Sequence, residues 1–157
     1  MSSTPCPAAE ALRQFRVIFG AVRQHFQAVE KACGVSGAQI WAMAALQQTP
    51  GMKVSELAQA MSIHPSTASN LLDKLEQAGL VRRERSSADQ RVVTLNLTDA
   101  GQRALNKAPQ PLTGILTHAL GQLTDEALCR LNADLAELIA HMGAVNARDA
   151  QLPLSET

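Results

Sequence analysis

The middle of the chain holds a run of short hydrogen-bonding side chains, and a cluster of arginines follows it. The first group is Ser66, Thr67, Ser69 and Asn70, with Lys74 one helical turn further on, and the second is Arg82, Arg83, Arg85 and Arg91. Hydroxyl and amide groups reach base edges or phosphates at a small cost in side-chain entropy. Guanidinium groups suit phosphate oxygens and a narrow, negative groove. Together they predict contact with double-stranded DNA, whereas the simpler interpretation of the polar run is a solvated helix face.

Arg91 is the strongest single candidate in the arginine cluster, because the negative potential of a narrow minor groove favours a guanidinium. Asp89 stands two residues earlier and could hold that guanidinium in a fixed pose through a bidentate pair. We therefore expect both residues to belong to the DNA-contacting set. The alternative is a surface salt bridge in a loop, which contributes little stability.

The arginines before the loop cannot all face one partner, because successive side chains of a strand point to opposite faces. Arg83 and Arg85 share a face, and we expect them to contact DNA. Arg82 lies on the other face and could pair with Glu84. Lys74 is either a phosphate contact or a surface charge.

A helix and a hairpin are needed to position these residues, and the local sequence predicts both. Pro65 suits the first helical position, where its missing N–H costs nothing, and Gly79 suits the end. The alternation of apolar and polar residues predicts strands over residues 80–85 and 91–97, joined by the polar loop 86–90.

Other helices are predicted by residues whose side chains can cap a helix N-terminus. These caps are Ser36, Ser55, Thr98 and Thr124. The helix after Thr98 should be interrupted by Pro109 and Pro111, since proline lacks the backbone donor that a helix interior needs. A further helical stretch is predicted over residues 112–120.

The two ends of the chain carry apolar stripes with spacings that alternate between three and four, which is the period of a coiled coil. The first stripe, in a helix over residues 8–32, is Leu12, Phe15, Phe19, Val22, Phe26, Val29 and Cys33. The second is Leu128, Leu131, Leu135, Leu138, Met142 and Val145. Both suit dimerisation, although ordinary packing within one chain would give the same pattern.

The bulk composition excludes several classes of protein. A length of 157 residues with 46% hydrophobic residues suits one globular domain. The formal net charge is +0, so nucleic-acid binding must come from an uneven distribution of charge. No apolar run reaches the length of a membrane span, and residues 1–5 lack the features of a signal peptide. These features predict a cytoplasmic protein.

Neither a catalytic centre nor a metal site is predicted. The chain has no phosphate-binding loop, no nucleophile elbow and no cluster of metal-ligating residues at a compact spacing. We expect no enzyme activity and no cofactor. Cys6, Cys33 and Cys129 are scattered, which favours incidental or structural thiols over a disulfide framework.

Residues 64–101, HPSTASNLLDKLEQAGLVRRERSSADQRVVTLNLTDAG, resemble the MarR family of bacterial winged helix-turn-helix regulators. The resemblance extends over about residues 10–145. It implies a mainly α fold with a small β-hairpin wing (α+β), flanked by N- and C-terminal dimerisation helices. The sequence departs from the family at His64, where Asp or Ser is common.

The resemblance also implies a homodimer that binds a pseudo-palindromic operator, most often as a repressor. It divides the chain into a flexible tail (1–7), dimerisation helices (8–35 and 102–147), a winged helix-turn-helix domain (36–101) and a second flexible tail (148–157). The alternatives are a thiol-based redox regulator of the same fold and a winged-helix module that binds proteins instead of DNA.

A small-molecule effector is implied as well, bound between the first two helices and the DNA-binding lobe. Arg16, Arg23, His25 and Trp41 are the candidate ligand contacts. An arginine would neutralise a carboxylate and Trp41 would stack on a ring, so we expect an aromatic-acid or phenolic ligand. The simpler interpretation makes Trp41 part of the core and the arginines solvated.

Overall fold

The structure is a computed structural model, and it describes residues 6–85, 89, 91–143 and 146–156. The helices are α1 (Pro7–Cys33), α2 (Gly37–Gln48), α3 (Val54–Met61), α4 (Pro65–Gln77), α5 (Asp99–Lys107), α6 (Ile115–Leu120) and α7 (Asp125–His141). Strands β1 (Val81–Arg85) and β2 (Val93–Leu97) lie between α4 and α5, and short 3₁₀ turns follow at Ala147–Gln151 and Leu154–Glu156. The predicted fold class, mainly helical with one small hairpin, is confirmed.

Side-chain caps fix the starts of three helices where the sequence predicts them. Ser36 Oγ accepts the N–H of Gln39 at 3.3 Å, and Gln39 accepts the N–H of Ser36 in return. Thr98 and Thr124 cap α5 and α7 in the same way. These bonds satisfy donors that the first turn of a helix leaves unpaired.

Four predicted boundaries are wrong. Helix α3 begins at Val54, and the N–H of Lys53 donates to Glu56 at 2.6 Å, so Ser55 lies inside the first turn and is not the cap. The strands begin at Val81 and Val93, later than predicted. Helix α6 begins only at Ile115, because the segment after Pro111 first forms a turn.

The hydrophobic core lies between α2, α3, α4 and the hairpin. Its largest fully buried side chains are Ile40, Met43, Leu46, Leu57, Met61, Leu71, Leu72, Leu75, Leu95 and Val29. Helix α2 is buried on most of its surface and contacts α3, α4, α5 and β2. We call the unit formed by α2–α5 and the hairpin the central lobe.

The hairpin is tied to this core from both sides of β2. Arg83 of β1 pairs with Leu95, which is completely buried. On the other side, the N–H of Leu95 donates to the carbonyl of Met52 at 3.0 Å. Gly101 of α5 lies so close to Leu80, the residue before β1, that an added Cβ would stand 2.1 Å from its carbonyl oxygen. The base of the wing is therefore a rigid part of the central lobe.

Helices α1 and α7 pack much less completely. The C-terminal end of α1 reaches the core through Val29, but Leu12 and Phe19 of the same stripe are 51% and 62% exposed. Helix α7 has no buried residue, and Met142, which directly follows it, is 65% exposed. None of the helices in the described part of the chain combines the length and apolar character needed to cross a bilayer.

The C-terminal segment differs from the flexible tail predicted over residues 148–157. It folds back across the central lobe, and Pro153 is buried. Hydrogen bonds attach it at two points: the N–H of His64 donates to the carbonyl of Gln151 at 3.3 Å, and the N–H of Ala38 donates to Ser155 Oγ at 3.2 Å. The composition suggested fraying, but unpaired N–H groups at two helix starts provide these anchors. The predicted N-terminal tail falls mostly outside the described residues.

Candidate nucleic-acid interface

Helix α4 separates an apolar face from a polar one. Leu71, Leu72 and Leu75 are buried against the core. Ser66 and Asn70 lie one turn apart on the opposite side and are exposed. The helix therefore projects hydrogen-bonding groups from a rigid support, which is the arrangement that base-edge contacts require.

The start of α4 is capped by His64, which sequence reasoning left without a clear role. Its Nδ1 accepts the N–H of Ser66 at 3.2 Å and lies 2.7 Å from Ser66 Oγ. An unprotonated Nδ1 satisfies both contacts, with the Ser66 hydroxyl as donor. This cap takes the place of the Asp or Ser that the resemblance implies, and it also orients the hydroxyl of Ser66.

Two of the four predicted polar contacts occupy the flanks of α4. Thr67 and Ser69 are half-buried, while Ser66 and Asn70 are exposed. The Thr67 flank faces the C-terminal segment, since Thr67 and Leu152 border the same cavity. The Ser69 flank faces the wing, through a 3.5 Å contact between its carbonyl oxygen and the guanidinium of Arg83.

Arg83 fastens the wing to α4. One guanidinium nitrogen lies 2.6 Å from Glu76 and another lies 2.6 Å from Asp73. Partial burial opposes the charged form, but the hydrogen bonds and charges of Asp73 and Glu76 prevail and raise the pKa of Arg83 above its ordinary value. The prediction that Arg83 contacts DNA is untested, and this geometry favours a positioning role. In the sequence, the spacing that puts Asp73 and Glu76 on one face of a helix was the feature that could have indicated this pairing.

The other wing arginines differ in their partners. Arg82 forms an ion pair with Glu84 at 2.6 Å, as the sequence suggested. Arg85 is exposed at the outer end of β1 and forms no ion pair with any residue that the structure describes. Its position therefore leaves the guanidinium accessible to a phosphate.

The predicted pairing of Asp89 and Arg91 takes a different form. Asp89 Oδ1 accepts the main-chain N–H of Arg91 at 2.9 Å, so the described bond involves the main chain of Arg91 and not its guanidinium. Both residues are exposed. Residues 86–88 and 90, which belong to the predicted loop, lie outside the described part of the chain.

A cleft between α1, α2 and α6 contains one of the four predicted ligand contacts. Trp41 lines it together with Val22 and Phe26. Arg23 borders an adjoining depression, while Arg16 and His25 line neither cavity. The cleft is mainly apolar. Trp41 and Arg23 line neighbouring cavities, so the structure does not assemble the full predicted set.

Cys33 belongs to the packing between α1 and α5. Its Sγ lies 3.5 Å from the carbonyl oxygen of Ala104. Burial raises the pKa of the Cys33 thiol, although the nearby charge of Lys107 opposes this. A raised pKa disfavours the reactive thiolate, so the geometry favours the prediction of a structural thiol. Among the described residues no three His, Cys, Asp or Glu side chains are grouped as metal ligands would be.

Comparison with known proteins identifies relatives across most of the chain. The model of the MarR family matches residues 35–93. The HTH-type transcriptional repressor MdtR of Bacillus subtilis is 34% identical over 107 residues, covering 66% of this chain and 69% of that protein.

Solved structures share the architecture. The crystal structure of the YusO protein from Bacillus subtilis has a TM-score of 0.56 at 26% identity, covering 91% of this chain and 100% of that one. A MepR–DNA complex from S. aureus has a TM-score of 0.56 at 23% identity, covering 82% and 94%, and shows likeness in fold. With the recognition-helix and wing geometry above, these matches establish that the chain belongs to the MarR family of winged-helix transcriptional regulators, which are not enzymes.

Proposed function

We propose that the chain is a homodimeric, sequence-specific repressor that inserts α4 into the major groove of a pseudo-palindromic operator and brings its wing to the flanking minor groove. The observation that carries the proposal is the joint geometry of α4 and the wing. Ser66 and Asn70 project from the solvent side of a helix whose other side is locked in the core. Arg83 holds the wing beside that helix.

We call the exposed side of α4, which carries Ser66 and Asn70, the reading face. It suits the major groove in size and chemistry. The groove is about 12 Å wide, which matches the diameter of about 10–12 Å of a helix with its side chains. An asparagine can form a bidentate contact with adenine, whereas serine accepts several bases. Asn70 is therefore the candidate for base selection, and Ser66 and Lys74 are candidates for positioning contacts with the backbone.

The wing supplies positive charge beyond the helix. Arg85 and Arg91 are exposed near the free end of the hairpin, while the hairpin base is fixed by the buried Leu95. A narrow minor groove attracts an inserted arginine through its negative potential. The acids of α4 do not oppose this approach, because Arg83 pairs with both Asp73 and Glu76.

In this proposal, a second copy of the chain buries the exposed apolar side chains at the two ends of the chain. Leu12, Phe19 and Met142 are more than half exposed, at 51%, 62% and 65%. Exposed apolar side chains of this kind favour association, and stripes at both chain ends allow a symmetric interface. The dimerisation region comprises residues 8–35 and 102–147 in this proposal, and residues 36–101 form the DNA-binding domain.

The effector site is the cleft beside Trp41. Its lining of Val22, Phe26 and Trp41 favours an aromatic group, and Arg23 at the adjoining depression could pair with a carboxylate. An aromatic-acid or phenolic ligand bound there would release the operator. The MdtR relative is named as a repressor, which supports repression as the direction of control.

A mobility-shift titration with the DNA that lies upstream of the gene tests DNA binding directly. We expect a shift that weakens steeply as salt rises, since phosphate contacts release counterions. Asn70→Ala and Arg91→Ala should each weaken binding by about tenfold. Asn106→Ala on α5 is the matched control and should leave binding unchanged. The absence of any shift at low salt would instead favour a protein-interaction module.

A further inference from the structure

The C-terminal segment lies against the same helix that is proposed to read DNA. We call residues 147–156 the C-terminal strap. The carbonyl oxygen of Gln151 accepts the N–H of His64, the capping residue of α4, at 3.3 Å. Arg148 and Gln151 border a cavity with Ser66 and Thr67, so the strap sits at the N-terminal end of the reading face.

The strap then continues along one flank of α4. Leu152 borders a second cavity with Thr67, Asn70 and Lys74. The wing occupies the opposite flank through Arg83, Asp73 and Glu76. The reading face is therefore bounded on both sides, by the wing on one and by the strap on the other.

The other end of the strap is anchored in the cleft of Trp41. Ser155 Oγ accepts the N–H of Ala38, a donor in the first turn of α2, at 3.2 Å. Pro153 is buried, and Pro153 and Ser155 line the cleft with Trp41. Two anchors at helix starts and one buried proline are the features of a seated segment, not of a frayed end.

The two flanks of α4 are not equivalent when DNA approaches. The wing has a minor groove to enter, but the strap borders the flank of α4, which would face a wall of the major groove if α4 entered it. A groove of about 12 Å that is filled by a helix of about 10–12 Å leaves no room for a second layer of protein. The strap sequence also carries one arginine against two acids, Asp149 and Glu156, so DNA does not attract it.

We propose that the C-terminal strap is an autoinhibitory element that must leave the flank of α4 before that helix can enter DNA. This inference rests on the proposed function. In the seated state the strap competes with DNA for the surface around Thr67 and Asn70, and in the released state the helix is free. The apparent DNA affinity is then the intrinsic affinity reduced by the fraction of released molecules.

The position of the strap also couples α4 to the cleft. Pro153 and Ser155 of the strap line that cleft together with Phe26 of α1 and Trp41 of α2. A molecule that contacts both the strap residues and Trp41 binds better when the strap is seated, so it shifts the population toward the seated state. Such a molecule would weaken DNA binding without touching α4.

The test compares the full chain with a variant that lacks residues 147–157, using the upstream DNA as the probe. We expect the truncated protein to bind about tenfold more tightly, because a strap that is seated about nine-tenths of the time lowers the apparent affinity by that factor. A variant with the order of residues 147–156 scrambled keeps length and net charge. It should bind as tightly as the truncated protein if seating, not charge, is the cause.

Ser155→Ala is a milder variant that keeps the chain length and removes one anchor. We expect a gain of about threefold in DNA affinity. Trp41 is the single tryptophan of the chain, and its emission reports the strap directly. It should shift to the red in the truncated protein, and in the full chain when saturating DNA is added. Light scattering should give the same molecular mass for all variants.

The outcomes separate the two proposals. Equal affinities for the full, truncated and scrambled proteins, with DNA bound by all three, would overturn the strap proposal and leave the proposed function intact. Unchanged Trp41 emission on truncation would overturn it too, since the strap would not be seated in the cleft. If none of the proteins binds the DNA, the proposed function fails and the strap proposal fails with it.

Discussion

The central lobe and the terminal helices are built from similarly apolar sequences, yet only the lobe completes its core within one chain. In the lobe, Leu72 and Leu75 of α4 are completely buried. In the C-terminal stripe, Leu138 of α7 and Met142 directly after it are 42% and 65% exposed. Periodicity alone does not distinguish these cases, because a helix stripe specifies a buried face but not the molecule that buries it.

The difference assigns separate tasks to the two regions. The lobe holds the α4 face and the wing in one rigid arrangement, which is what DNA reading needs. The terminal helices leave apolar surface that a second chain can cover. In the proposed dimer, α1 and α7 set the distance between the two copies of α4, while the lobe alone sets the chemistry of each copy.

The largest predicted effect comes from opening a cavity in the lobe. Leu72→Ala should lower the free energy of unfolding by about 3 kcal/mol, since burial of the side chain is lost and the core cannot fully collapse. Denaturant titration at two protein concentrations measures the change. The matched variant Leu138→Ala should have a much smaller effect on the same quantity. Equal losses at both positions would erase the proposed contrast between the regions.

The second prediction places a charge on the terminal helices. Leu138→Glu should dissociate the proposed dimer, because a carboxylate buried in an apolar interface is strongly unfavourable. We expect half the molecular mass by light scattering, an unchanged helical circular dichroism signal per residue, and DNA binding weakened by more than tenfold. Asn132→Glu, at an exposed position of the same helix, is the control. A Leu138→Glu protein that remains dimeric would exclude this part of the stripe from the interface.

Most of the lobe could be predicted from the sequence because its signals are local. Pro65 and the leucines of α4 specify the start and the buried face of that helix, and Thr98 specifies the start of α5. The caps of α3 and α4 were harder to predict. Lys53 contributes only its main-chain N–H, and His64 uses a ring nitrogen, so neither belongs to the usual capping residues.

The candidate site was predicted only in part, because several of its contacts join residues distant in sequence. Because Arg83 is an arginine in the wing, the sequence suggested DNA contact. Its ion-pair partners Asp73 and Glu76, however, lie on α4. The seated strap depends on main-chain groups of His64 and Ala38, which are invisible in residue types. Patterns within a short window predict helices and caps, whereas tertiary hydrogen bonds decide which polar groups remain available.

The third prediction asks whether the wing belongs to the lobe. Arg83→Ala should weaken DNA binding by roughly fivefold, because it frees the hairpin from α4 and leaves Asp73 and Glu76 as unpaired negative charges near the DNA. Arg82→Ala removes a guanidinium of the same type from the opposite strand face, where the pair with Glu84 is exposed, and should change binding much less. Equal losses would mean that total positive charge, not wing position, determines affinity.

The smallest effect concerns the border between the two regions, where Cys33 ends α1. Its Sγ contacts the carbonyl oxygen of Ala104, and burial raises the pKa of this thiol. At a given pH below that pKa, a smaller fraction of Cys33 is thiolate, so its alkylation should be slower than that of the exposed Cys6 and Cys129. Timed iodoacetamide labelling with peptide mass spectrometry measures the order. If Cys33 were labelled first, the end of α1 would not be packed on α5 in solution. Cys33 would then not belong to the packed border between α1 and the central lobe.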